Sequence, residues 1–206
     1  MLPEGLFAIL DPNYSEKSTA LIIEELTDAE ALPFIVRHKS LSLEEYTRFV
    51  HEIDELRDAI DFDYLIHDHA TLALRSQALG VHLTANSMPV AQARALLGHK
   101  KLIGYSAHSL EEAIQAKLAG ADYIFLGAIF KTPKPDSNHP ILGIDVLSET
   151  CRKIEIPVYA IGGINESNLL PIKDAGAAGF SSLRALYNND EIEHNASKLS
   201  FMWEEV

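Results

Sequence analysis

Four groups of residues have the types and spacing to do chemistry. In LIHDHA, Asp68 stands between His67 and His69, so the segment reads as a metal-facing carboxylate, an acid–base histidine or the polar end of a strand. Arg37 and Lys39 are two apart, and on a strand end such residues point the same way. With a loop cation such as Lys134 they would neutralise a diphosphate; the simpler alternative is a solvated surface pair. In AIGGIN, Gly162-Gly163 lets backbone N–H groups approach a phosphate because no Cβ intervenes, although a tight turn would need the same pair. Ser106 and His108 in YSAHS look like a nucleophile and its base. No acidic orienting partner is evident and there is no G-x-S-x-G elbow, so Ser106 reads as a ligand-binding hydroxyl instead. His82 in GVHL reads as a satisfied structural histidine, and Cys151 as a packed residue on an amphipathic helix.

These groups act together only if the fold gathers them. Short apolar runs alternate with longer amphipathic ones along the whole chain, the pattern of βα units on a parallel sheet. Strands are expected at LFAIL (6–10), PFIVR (33–37), FDYLI (62–66), GVHL (80–83), KLIGYS (101–106), YIFLG (123–127), IPVYAIGG (156–163) and GFSSL (179–183). Each is followed by a helical stretch, two of them opened by the capping-box pairs Ser42–Glu45 and Ser109–Glu112. Eight such units make an α/β fold, a single (β/α)8 TIM barrel spanning 1–206. A doubly wound open sheet would carry its glycine-rich turn after the first strand, where this chain reads DPNYSEKS. In a barrel all four groups lie at the C-terminal strand ends, joined there by Thr132, Ser182 and Arg184. The loop AIFKTPKPDSNHPILG is the one long irregular connection, and such loops are often lids or binding loops.

Composition narrows the ligand. The 206 residues carry 17 Lys and Arg against 30 Asp and Glu, a formal net charge of -13. That balance disfavours nucleic acid and anionic membrane surfaces, while a local cluster of cations would make a focused anion site. One cysteine excludes an internal disulfide and fits a reducing compartment, and neither a signal peptide nor a spanning segment is evident, so a cytoplasmic location is expected.

The sequence resembles the thiamin-phosphate synthase family, which includes the TenI-type thiazole tautomerases. The resemblance runs from FAILD to GFSSLRAL and is most specific in GVHL, GYSAHSLEEAIQAKLAGADYIFLGAIFKTPKPD and IPVYAIGGINESNLLPIKDAGAAGF. It implies a (β/α)8 barrel that joins an aminopyrimidine-methyl diphosphate to a thiazole phosphate, releasing pyrophosphate with Mg2+. It further implies that Arg37 and Lys39 grip the diphosphate, that Asp68 is the metal acid beside His67, and that Ser106 touches the diphosphate. Thr132 and Lys134 match the loop threonine and lysine if one residue is deleted between them, and Gly162-Gly163 matches the thiazole-phosphate turn, with Ser182 and Arg184 close by. Phosphorylated small molecules are then the partners, and assembly into a homo-oligomer is compatible with the reading.

Five positions depart from the family pattern. Ile35 replaces a glutamine, His67 an asparagine, Ser87 the second metal aspartate and Arg184 a serine, while Ala128 stands where the tautomerases carry their acid–base histidine. Three readings therefore remain open: a synthase, a tautomerase with a relocated base such as His67 or His139, and a non-catalytic phosphate-ligand binder.

Overall fold

The computed structural model describes residues 2–132 and 140–206; Lys134 and His139 lie outside them. Among the described residues, nine parallel strands form one curled sheet in the order β1-β9-β8-β7-β6-β5-β4-β3-β2. They are β1 (Gly5–Leu6), β2 (Ile9–Leu10), β3 (Phe34–Val36), β4 (Tyr64–His67), β5 (Gly80–Leu83), β6 (Leu102–Ala107), β7 (Tyr123–Gly127), β8 (Val158–Ile161) and β9 (Gly179–Ser181). β1 and β2 are two pieces of the expected first strand. Its first half pairs with β9 and its second half with β3, which closes the ring at eight strand positions. The intervening residues keep pairing: Phe7 N–H donates to the Phe180 carbonyl at 2.8 Å, and Ala8 accepts from Ile35 N–H at 3.0 Å. This stagger is the shear that a closed barrel requires.

The side-chain alternation of the strands separates two cores. Phe7, Ile9, Ile35, Leu65, Tyr123, Phe125 and Tyr159 fill the barrel interior. The opposite faces, including Leu10, Phe34, Val36, Ile66, Leu126 and Phe180, pack against the helical layer. That layer comprises α1 (Thr19–Asp28), α2 (Leu43–Leu56), α3 (Ala70–Arg75), α4 (Val90–Leu97), α5 (Leu110–Leu118), α6 (Gly143–Lys153), α7 (Leu169–Asp174), α8 (Leu183–Leu186) and α9 (Ile192–Glu205).

Local signals fix the helix starts. At α2 the Ser42–Glu45 capping box is complete. At α5 only half of the expected box forms: Ser109 Oγ accepts from Glu112 N–H at 3.1 Å, but the Glu112 carboxylate accepts from His108 N–H at 2.7 Å. The short α8 was not expected from the sequence, because four residues carry too little periodicity to register. Cys151 packs on α6, and burial raises its thiol pKa to about 11.

Candidate active site

Five strands deliver their next residues to one rim. After β2 comes Asp11, after β3 Arg37, after β4 Asp68, after β8 Gly162 and after β9 Ser182. A cavity of about 730 Å³ opens at this end, and Arg37, Thr132, Gly162, Gly163, Ser182 and Arg184 all line it. Arg37 and the glycine pair, far apart in sequence, therefore share one space.

Arg37 is held rather than splayed. Its Nη1 pairs with the Asp11 carboxylate, which is 1 % exposed. Asp11 Oδ1 also accepts from Asn13 N–H at 3.1 Å and Asn13 Nδ2 at 2.8 Å, and Asp11 N–H donates to the Tyr187 hydroxyl at 2.9 Å. A buried, multiply bonded carboxylate fixes the guanidinium fork and leaves its remaining donors for an anion. Asp11 was not singled out in the sequence; its meaning depends on β2 lying beside β3, which its own neighbours do not reveal. Lys39 sits exposed in the turn after β3 and is not among the residues lining the cavity.

The glycine pair forms the opposite wall. Gly163 has φ +69°, and a Cβ there would lie 2.7 Å from the Phe130 carbonyl carbon and 2.6 Å from the Lys131 carbonyl oxygen. Only glycine fits, because both the backbone region and the close approach of the loop after β7 exclude a side chain. Asn168 Nδ2 ties the Gly163 carbonyl down at 3.1 Å, and Ser182 Oγ donates to the Ile164 carbonyl at 2.6 Å. Among the described residues the cations of the wall are Arg37, Lys131 and Arg184, and its acid, Glu166, is paired with Lys198 at 2.8 Å. In a chain of net charge -13 this is a local positive site suited to phosphate.

A second polar group lies on β4 and β5. Asp68 occupies the left-handed region at φ +69°, where strained backbone is concentrated at functional positions. Its Oδ2 meets His67 Nδ1 at 2.8 Å, and its Oδ1 accepts from Thr84 Oγ1 at 2.8 Å and from the Ser87 hydroxyl. Burial acts to raise this carboxyl's pKa. The hydrogen bond and charge of His67 and the hydroxyls of Ser87 and Thr84 outweigh it and hold the group well below the usual carboxylate range. Farther round, His82 Nε2 lies 2.8 Å from Ser106 Oγ and His82 Nδ1 lies 3.1 Å from the Tyr123 hydroxyl. The histidine of GVHL is thus satisfied, as its sequence context suggests, and Ser106 has His82 as a partner. His108 Nδ1–H donates to the Gly127 carbonyl at 2.6 Å.

The comparisons with known proteins agree with this geometry. The sequence profile of the thiamine monophosphate synthase family matches residues 6–186. The chain belongs to that family. The thiamine-phosphate synthase of Clostridium novyi (strain NT) is 38% identical over 195 residues, covering 94% of this chain and 95% of that one. That of Chloroflexus aurantiacus is 36% identical over 196 residues, covering 94% and 90%. Among solved structures, a thiamine phosphate pyrophosphorylase from Pyrococcus furiosus superposes with a TM-score of 0.85 at 26% identity, covering 98% of this chain and 96% of that one.

Set against the thiamine monophosphate synthase pattern, the departures acquire physical meaning. Ser87 does not face Asp68 as a second charge; it donates a hydrogen bond to it. Ile35 is fully buried in the barrel interior, so that corner is apolar. Ala128 packs at Gly162, where a Cβ would lie 2.6 Å from the alanine methyl, so no proton carrier stands at this position. Arg184 adds a cation to the cavity lined by the Gly162-Gly163 turn.

Proposed function

We propose that this chain is a thiamine-phosphate synthase, a transferase joining an aminopyrimidine-methyl diphosphate to a thiazole phosphate with release of pyrophosphate. The observation that carries the reading is the convergence of Arg37 and the Gly162-Gly163 turn on one cavity. Two anionic groups must be held at a fixed separation for such a reaction, and the cavity offers one cationic and one backbone cradle for them. The chain is read as one barrel domain, and no described helix is long and apolar enough to cross a membrane.

The chemistry is a dissociative displacement. The bond from the pyrimidine methyl carbon to the diphosphate oxygen breaks, and its electron pair leaves with pyrophosphate. The lone pair of the thiazole nitrogen then forms the new C–N bond, so no protein nucleophile is needed. What the protein supplies is stabilisation of the departing charge and alignment of the nitrogen. In this reading Arg37, oriented by Asp11, grips the diphosphate with Ser106, Lys39 and the loop residues Thr132 and Lys134. Gly162, Gly163, Ser182 and Arg184 seat the thiazole phosphate. Ile35, Leu65 and Phe125 give the barrel interior apolar side chains that are not themselves nucleophiles toward the cationic carbon.

Mg2+ fits the β4–β5 corner. The donor set is the hard-oxygen kind it prefers: an ionised Asp68 carboxylate beside the Thr84 and Ser87 hydroxyls. No described cluster of three or more His, Cys, Asp or Glu residues could hold a metal, which suits an ion that keeps its waters and shares substrate phosphate oxygens. Bound there, it would neutralise diphosphate charge. Ser87→Asp is then expected to tighten Mg2+ binding at least about tenfold by calorimetry, because a second carboxylate joins the ion's shell. The same substitution lowers thermal stability in chelator, where like charges face each other, and Mg2+ restores it. Unchanged affinity would place the metal away from Asp68.

A pyrophosphate-release assay tests the function directly. Release is expected only with both substrates and Mg2+ present, and thiamine phosphate should accumulate in equal amount. Release with the diphosphate alone would mean hydrolysis, and none under any condition would reject the assignment.

A further inference from the structure

The interior of the barrel holds a polar chain that ends at Ser106. His82, Gly104 and Tyr123 lie in register on β5, β6 and β7, with Gly104 paired to both neighbours. The glycine makes the connection physical: a Cβ on Gly104 would lie 2.1 Å from Tyr123 Cζ and 2.4 Å from its hydroxyl oxygen. The phenol therefore crosses β6 through the space a side chain would fill, and its hydroxyl reaches His82 Nδ1 at 3.1 Å. The other imidazole nitrogen meets Ser106 Oγ at 2.8 Å, two residues along β6 from Gly104.

We propose that Tyr123 and His82 are positioning residues that set the polarity of the Ser106 hydroxyl. In this arrangement Tyr123 O–H donates to His82 Nδ1, His82 Nε2–H donates to Ser106 Oγ, and the Ser106 proton is turned outward as a donor to the departing diphosphate. The inference rests on the synthase reading for the identity of that anion.

The direction follows from where a proton would otherwise be stranded. Tyr123 is fully buried, with the rings of Phe7, Phe125 and Tyr159 at 5.2, 5.7 and 6.0 Å. Its hydroxyl has His82 as its hydrogen-bond partner among the described residues. Were His82 Nδ1 the donor, the phenolic hydrogen would face this aromatic core without an acceptor, and leaving a buried donor unmade is the costly arrangement. His82 is itself buried with each ring nitrogen against a hydroxyl, and a neutral imidazole has one proton to place. Placing it on Nε2 satisfies both ends. The reverse polarity would spend the Ser106 proton on His82 and present only lone pairs to an anion.

Nitrogen-15 NMR of histidine-labelled protein reads the tautomer without reference to activity. His82 is expected in the Nε2–H form; Nδ1–H in half the molecules or more overturns the proposal. Kinetics supply the second readout, because Tyr123→Phe removes one oxygen and keeps the ring. It should lower kcat about tenfold with little change in KM, and Ser106→Ala should lower it about ten- to a hundredfold, the worth of a hydrogen bond to a charged group. The double variant should be no slower than Ser106→Ala alone, since Tyr123 acts through that hydroxyl. Additive losses, as a purely structural role would give, overturn it. A wild-type protein without turnover would instead reject the synthase reading, while the spectrum would still decide the tautomer.

Discussion

Arg37→Ala is expected to lower kcat/KM for pyrophosphate release by about 10² to 10³, the usual cost of deleting a donor aimed at developing negative charge. It is also expected to lower stability by about 3–5 kcal/mol, because its partner is then a buried carboxylate without a cation. Asp11 is 1 % exposed and Arg37 12 %, so neither is screened by solvent. The two losses separate in a double variant. Asp11→Asn keeps an oxygen for the Asn13 N–H and Nδ2 donors but removes the charge, so Asp11→Asn with Arg37→Ala should recover most of the stability in urea unfolding. Turnover should stay lost, since nothing replaces the fork. A double variant that regained activity together with stability would show that Arg37 only neutralises Asp11 and does not grip substrate.

The same pair shows where reading the sequence stops. Arg37 stands out because its charge and its place at a strand end are local facts. Asp11 is 26 residues away, and nothing in DPNY says that it turns toward Arg37 rather than only capping its own turn. Strand alternation, the complete Ser42–Glu45 box and the turn glycines are likewise local, and all were legible. Contacts that depend on register across neighbouring strands were not. Ser87 meets Asp68 because β4 and β5 place their following turns together, and Tyr123 meets His82 only because Gly104 lies between them. Pattern reading gave the first strand as one continuous run, whereas ring closure splits its pairing between two partners at Phe7 and Ala8. Hydrophobic periodicity reports which face is buried; it does not report which neighbour each residue meets.

Acid should unfold this protein earlier than its carboxylates alone would. His82 is 2 % exposed, and burial lowers its pKa from 6.5 to about 3, with the charge of His67 acting the same way and Asp68 acting against both. Between those two values the unfolded chain binds a proton that the folded chain refuses. Stability therefore rises with pH across this window: the His82 contribution is complete above about 6.5 and is lost progressively as pH falls toward about 3, at about 1.4 kcal/mol per pH unit. His69, also lowered by desolvation, adds in the same direction. Asp68 acts lower down, since a depressed carboxylate gives stability that is present above 3.8 and lost below it. From pH 6 to 4 the buried imidazole should thus dominate, removing about 2–3 kcal/mol from a total of typically about 5–15. His82→Gln offers a non-titrating replacement whose amide can donate to Ser106 and accept from Tyr123. Its unfolding free energy, measured in urea at half-unit steps, should be lower than wild type at pH 7 but much flatter down to pH 4, so that the two curves converge in acid. Parallel curves would mean that His82 already carries its proton in the folded state, with Asp68, 14 residues back on the neighbouring strand end, or a water in the barrel mouth offsetting the charge.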